Sequence, residues 1–111
     1  MRYPLTLGLV LLVAIAVPLL SAGKGDAAAG KEVYTKRCTT CHGAAGEGKE
    51  AIAKMLKVEM RHLGSKEVQA KTDADLRKVI TEGNGKMKPV TGLNEKELAG
   101  VLAYLRTLTK K

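Results

Sequence analysis

Cys38-Thr39-Thr40-Cys41-His42 decides how the rest of this chain is read. Two thiols three positions apart, followed at once by an imidazole, form the pattern of a covalent c-type haem attachment site. Each residue type has a chemical reason to be there. The Cys38 and Cys41 thiols can add to the two vinyl groups along one porphyrin edge, leaving two thioether bonds. The His42 ring nitrogen then sits beneath the iron as proximal ligand, and neutral imidazole is an ordinary axial ligand of haem iron.

Three other readings of the same five residues compete. A dithiol redox motif normally accompanies a βαβ pattern, and no β-branched strand pattern is visible. A zinc site built from Cys38, Cys41, His42 and His62 would need adjacent ligands at 41 and 42 on one tetrahedral ion, with no second cysteine pair. A structural disulfide between Cys38 and Cys41 would close a very short loop and stabilise little. Haem attachment is the expectation.

Working outward, the chain has 111 residues and is one domain at most. Its start reads as a targeting segment: Arg2, then an apolar run over residues 5–20, then the small residues Ser21, Ala22 and Gly23. Cleavage after Ala22 or Gly23 is expected, giving a signal peptide over residues 1–23 and a haem domain over 24–111. The rival is an uncleaved membrane anchor. As a helix, the run reaches about 24 Å, short of a hydrocarbon core of about 30 Å, and Pro18 sits near its end. Export suits the chemistry, because bacteria attach c-type haem outside the cytoplasmic membrane. A periplasmic location is therefore expected, with membrane contact only through the N-terminal segment if it is retained. The mature part, about 86 to 89 residues, buries only a modest core and gains from the apolar volume of a cofactor.

From Asp26 onward there are 17 Lys+Arg and 11 Asp+Glu, a net charge of +6. No dense basic tract exists and few aromatics remain for base stacking, which argues against nucleic-acid binding. Most of the charge is a solvated surface; its functional reading is electrostatic steering towards acidic partners.

The mature chain reads as all-α, three to four helices around one haem. Asp26 caps a first helix to about Cys38, with Gly30, Val33 and Tyr34 on one face. Residues 44–49 form a loop, and a short helix is expected near residues 50–57 from the spacing of Ile52, Met55, Leu56 and Met60. Residues 60–71 are expected to be irregular and to wrap the cofactor. Thr72 caps a third helix with Leu76, Val79 and Ile80 inside, ended by Gly83. Residues 84–89 are turn-rich. Asn94 caps the last helix, whose buried stripe is Leu98, Val101, Leu102 and Leu105, flanked by Tyr104.

One histidine leaves the other haem face open. Candidates for the sixth position are Met55, Met60, Met87 and His62. Met87 is favoured, because it lies in a loop before Pro89 from which a thioether can reach the iron. Met55 and Met60 follow an apolar helical pattern, where methionine is commonly core filler. His62, beside Arg61, reads as a surface or propionate-facing residue.

Taken together, these residues resemble class I cytochromes c, small monohaem electron carriers of bacterial type. In that family the first helix carries a glycine and an aromatic, eight and four residues before the first haem cysteine; Gly30 and Tyr34 match. The last helix packs an aromatic across that glycine, and Tyr104 matches. The methionine ligand lies between the last two helices, as Met87 does. The resemblance covers nearly the whole mature chain. It departs at Lys88, which separates Met87 from Pro89, and in the absence of Trp and Phe from the whole chain. It implies one covalently attached haem c on Cys38 and Cys41, iron bound by His42 and Met87, and single-electron transfer between redox proteins with acidic docking surfaces. His/Met ligation raises the reduction potential and fills both axial positions. Lys36, Lys49, Lys86 and Lys88 would ring the exposed haem edge. A monomer is expected, and a stand-alone enzyme is not, because no nucleophile–base pair or second metal cluster is apparent. The alternative is a haem-based ligand sensor with a labile sixth site.

Overall fold

A computed structural model describes residues 13–14 and 25–110; the expected signal peptide or anchor over 1–23 lies outside the described residues apart from 13–14. Six helical segments follow one another: α1 Ala27–Arg37, α2 Thr39–His42, α3 Glu50–Leu56, α4 Lys66–Gln69, α5 Asp73–Glu82 and α6 Glu95–Thr107. α2 and α4 are single turns; the other four are the expected helices. The β-structure among the described residues is one isolated bridge, Asn84 to Met87.

Capping explains where the long helices begin. The Asp26 carboxylate accepts from the backbone N–H of Ala28 (2.9 Å) and Ala29 (3.4 Å). Thr72 Oγ1 accepts from Asp75 N–H (3.1 Å). Asn94 and Glu97 form a reciprocal capping box, which satisfies two donors that a helix N-terminus otherwise leaves unpaired. Gly83, at φ 80°, ends α5 in a region that costs a Cβ-bearing residue energy.

α1 and α6 make the largest helix–helix contact. Their closeness comes from a pattern present twice, Gly30-x-x-x-Tyr34 and Gly100-x-x-x-Tyr104. A Cβ on Gly30 would overlap the Gly100 carbonyl, and one on Gly100 would lie 2.9 Å from the Asp26 carbonyl oxygen. One turn on, the Tyr34 and Tyr104 rings sit 5.1 Å apart, tilted by 56°, a favourable aromatic arrangement. Tyr104, the aromatic expected across Gly30, lies on Tyr34, and the residue that meets Gly30 most closely is Gly100. Among the described residues the buried hydrophobic side chains are Tyr34, Val68, Leu76, Ile80, Leu98, Val101, Leu102 and Leu105.

Two further expectations change. Residues 60–71 are not wholly irregular. Ser65 Oγ accepts from Val68 N–H (3.4 Å) to start α4. Gln69 Nε2 donates to the carbonyls of Leu63 (2.8 Å) and Leu105 (2.9 Å), tying that turn to α6. Arg106 adds bonds to the Gln69 and Lys71 carbonyls and a 2.7 Å pair with Asp73. Met55 and Met60 are not core residues. Lys57 ends α3 in the left-handed region at φ 54°, so Met60 falls outside the helix; Met55 is 69% exposed.

Candidate functional site

The motif lies where α1 breaks. Cys38 leaves helical geometry at φ −120° while its N–H still bonds the Tyr34 carbonyl. The next turn re-forms at once: His42 N–H donates to the Cys38 carbonyl (2.9 Å), and Gly43 N–H to that of Thr39 (2.9 Å). Residues three and four apart on a helical turn are neighbours, so Cys41 and His42 each lie beside Cys38 on this turn. The chain then folds back. Gly48 N–H donates to the His42 carbonyl (2.7 Å) and Lys49 N–H to that of Cys41 (2.9 Å).

A buried side chain fixes the exit. The Tyr34 hydroxyl donates to the Gly43 carbonyl at 2.6 Å, and Tyr34 is 1% exposed. Burial is the main reason its phenol is pushed up to about 12, so this donor keeps its proton. Gly43 has φ 80°, and a Cβ there would collide with the Glu47 carboxylate. That carboxylate accepts from Ala45 N–H (2.8 Å). Backbone hydrogen bonds to it, from its own N–H and from Ala45, hold Glu47 below the usual glutamate range.

Electrostatics at the motif suit a ligand role. Burial lowers the His42 pKa, favouring the neutral imidazole that binds metal. Burial raises the Cys38 thiol, against the opposing pull of the Arg37 cation. Cys38 and Cys41 are not joined to each other, and both are half-buried.

Met87 occupies a doubly hydrogen-bonded turn. Its N–H and carbonyl both pair with Asn84, each bond 2.9 Å. With Gly85 at φ 57° between them, this is the pattern of a type II′ two-residue turn. Downstream, Val90 N–H donates to the Ile80 carbonyl (2.8 Å). Met87 is half-buried, with Lys86 and Lys88 exposed on either side. Among the other candidates, Met55 faces solvent. Met60 lies against Gly48, in the loop leaving His42. His62 is half-buried, and its Nδ1 accepts from Gly64 N–H (2.9 Å), so it shapes its own turn.

Three observations show that these residues fit a haem. His42 Nδ1 is buried with no hydrogen-bond partner, a state shared by no other side-chain nitrogen or oxygen among the described residues. Two thiols and this imidazole share one helical turn. Ile52 and Leu56 of α3, and Met87, Val90 and Leu93 of the Met87 loop, stay half-buried, while among the described residues every buried hydrophobic side chain comes from α1, α4, α5 or α6. The zinc reading loses its donor set: among the described residues no three His, Cys, Asp or Glu side chains converge to hold an ion.

Comparison with known proteins points the same way. Residues 25–105 match the family described as cytochrome c oxidase, cbb3-type, subunit III. The chain is a monohaem c-type cytochrome of this family. It is 31% identical over 90 residues to cytochrome c-554(547) of Halothiobacillus neapolitanus, covering 76% of this chain and 98% of that protein. It is also similar to the solved structure of KustC0563 c-type cytochrome, with a TM-score of 0.63 and 27% identity, over 73% of this chain and 98% of that one. This cytochrome therefore carries haem c covalently through Cys38 and Cys41 and has the all-helical fold of small c-type cytochromes. Its family consists typically of non-enzymatic carriers and implies redox protein partners.

Sequence reasoning alone missed the Tyr34–Gly43 bond, the fold-back of residues 48 and 49 onto the motif, and Gly100. The repeated Gly-x-x-x-Tyr spacing could have revealed Gly100; the other two are tertiary contacts without a local signal.

Proposed function

We propose that this cytochrome is a monomeric single-electron carrier of the bacterial periplasm, with His42 and Met87 as axial ligands. Residues 1–23 would serve as its export signal and residues 24–111 as the haem domain. Among the described residues no helix is long and apolar enough to cross a membrane. Bound haem c supplies one iron that takes up and gives back one electron.

The chain's own residues do the rest. Cys38 and Cys41 fix the porphyrin edge. His42, kept neutral by burial, offers an imidazole nitrogen. Met87 offers a soft thioether, the partner that raises a c-type potential. The observation that carries the assignment is the doubly bonded Asn84–Met87 turn. It gives Met87 a hydrogen-bonded, half-buried place, whereas Met55 is exposed and Met60 lies against Gly48 in the loop that leaves His42. Two strong axial ligands favour electron transfer without bond making or breaking.

Exposed Lys36, Lys49, Lys86 and Lys88 would steer the protein to acidic partners. Screening shortens the reach of such charges to about 8 Å at physiological ionic strength. Reduction by an acidic partner should therefore slow as salt rises, and a salt-independent rate would remove the steering.

The ligation test is the absorption spectrum of holoprotein, wild type against Met87→Ala. Oxidised wild type should show the weak long-wavelength band of iron–methionine bonding; the variant should lose it and bind carbon monoxide when reduced. A wild type that lacks the band and binds carbon monoxide readily would replace the carrier with a ligand-binding protein.

A further inference from the structure

Arg37 ends α1 directly before Cys38. Its Nη2 donates to the Thr91 carbonyl at 3.0 Å, a bond between residues 54 apart in sequence. Thr91 lies four residues beyond Met87 in the segment that joins α5 to α6. Backbone bonds hold the rest of that segment: the Asn84–Met87 pair at its start and the Val90–Ile80 bond near its middle. Pro89 has no N–H to add another. Among the described residues, Arg37 is the one side chain from outside the segment that hydrogen-bonds to residues 84–93. The bond thus joins the two stretches that carry the two axial ligands proposed above.

We propose that Arg37 is a positioning residue. It latches the Met87 loop to the haem-bearing end of α1 and limits how often Met87 leaves the iron. This rests on the reading of Met87 as a ligand. A loop peels from its least-held side, and local opening of this kind governs access to a buried site. Arg37 is exposed, so the latch is modest. Losing one such hydrogen bond corresponds to roughly a two- to twelvefold change in the opening equilibrium.

The test adds imidazole to the oxidised holoprotein and follows displacement of the methionine by the loss of its long-wavelength band. Arg37→Gln should react about two- to twelvefold faster than wild type. Arg37→Lys, which retains a cationic donor, should fall between them. Lys36→Gln makes the same charge change next door without the Thr91 bond and should match wild type. Equal rates for wild type and Arg37→Gln, or equal acceleration in Lys36→Gln, overturn the latch. Met87→Ala separates the two claims. Its imidazole binding is followed by the shift of the Soret band, since it has no methionine band to lose; if it binds imidazole no faster than wild type, Met87 is not the displaced ligand and both claims fall. If it is fast while wild type and Arg37→Gln are equally slow, only the latch falls.

Discussion

Replacing Gly30 with alanine should damage this protein far more than replacing Gly100, although the two glycines face each other. The difference follows from what each new Cβ meets. On Gly100 it would lie 2.9 Å from the Asp26 carbonyl oxygen, 3.1 Å from Gly30 N and 3.3 Å from Gly30 Cα. Relief there needs a shift of a few tenths of an ångström. Such overpacking costs about 1–3 kcal/mol, and alanine returns about 1 kcal/mol of helix propensity. The net loss centres on about 1 kcal/mol, or about 4–8 °C in Tm for a domain of this size. On Gly30 the Cβ would overlap the Gly100 carbonyl and sit 2.7 Å from Val101 N. All of these are backbone atoms, so no rotamer change helps and α1 must move off α6. Tyr34, Leu98 and Val101, each at most 4% exposed, would lose packing. Fully burying one large apolar side chain is worth about 1.5–3 kcal/mol, so partial loss at three sites gives at least about 3 kcal/mol, even after the propensity gain. Thermal unfolding of oxidised holoproteins, followed by far-ultraviolet circular dichroism, should place Gly30→Ala at least about 12 °C below wild type. Equal melting of the two variants, or a more damaging Gly100→Ala, would refute the close-crossing account.

Other perturbations test other parts of the structure. Arg106→Ala removes a half-buried guanidinium with bonds to Asp73, Gln69 and Lys71 and should cost about 2 kcal/mol in chemical denaturation; Arg77→Ala, which breaks the surface pair with Glu95, should cost under about 1 kcal/mol. Tyr34→Phe should cost about 1 kcal/mol near neutral pH, and it should also change the alkaline limb. A phenol raised from 10.0 to about 12 makes the native state hold its proton more tightly than the unfolded chain, so wild-type stability should be complete below pH 10 and fall as pH rises towards 12; denaturation curves of Tyr34→Phe should lack that component. Asn94→Ala breaks the capping box and should lower stability by about 1 kcal/mol, with earlier amide exchange in the first turn of α6.

Much of the fold was legible because its signals are local. Asp26, Thr72 and Asn94 are good caps by side-chain chemistry, and each caps the helix expected of it. The buried stripe of α6 follows helical periodicity residue by residue. α4 escaped notice because one turn has no periodicity to read; it exists through Gln69 and Arg106, whose partners are 6 to 37 residues away. Met60 was misread because its spacing extended an apolar stripe past the residue where Lys57 turns left-handed. The two haem-bearing thiols were legible, since a covalent attachment site must be contiguous. What holds the motif in shape, the Tyr34–Gly43 bond and the loop folding back on it, is a product of the tertiary fold.

The most direct test of His42/Met87 ligation is X-ray absorption at the iron edge of the oxidised holoprotein. The account predicts one sulfur bonded to iron in the wild type and in Met60→Ala, and none in Met87→Ala. Absence of an iron–sulfur bond in the wild type, or its survival in Met87→Ala, would contradict it.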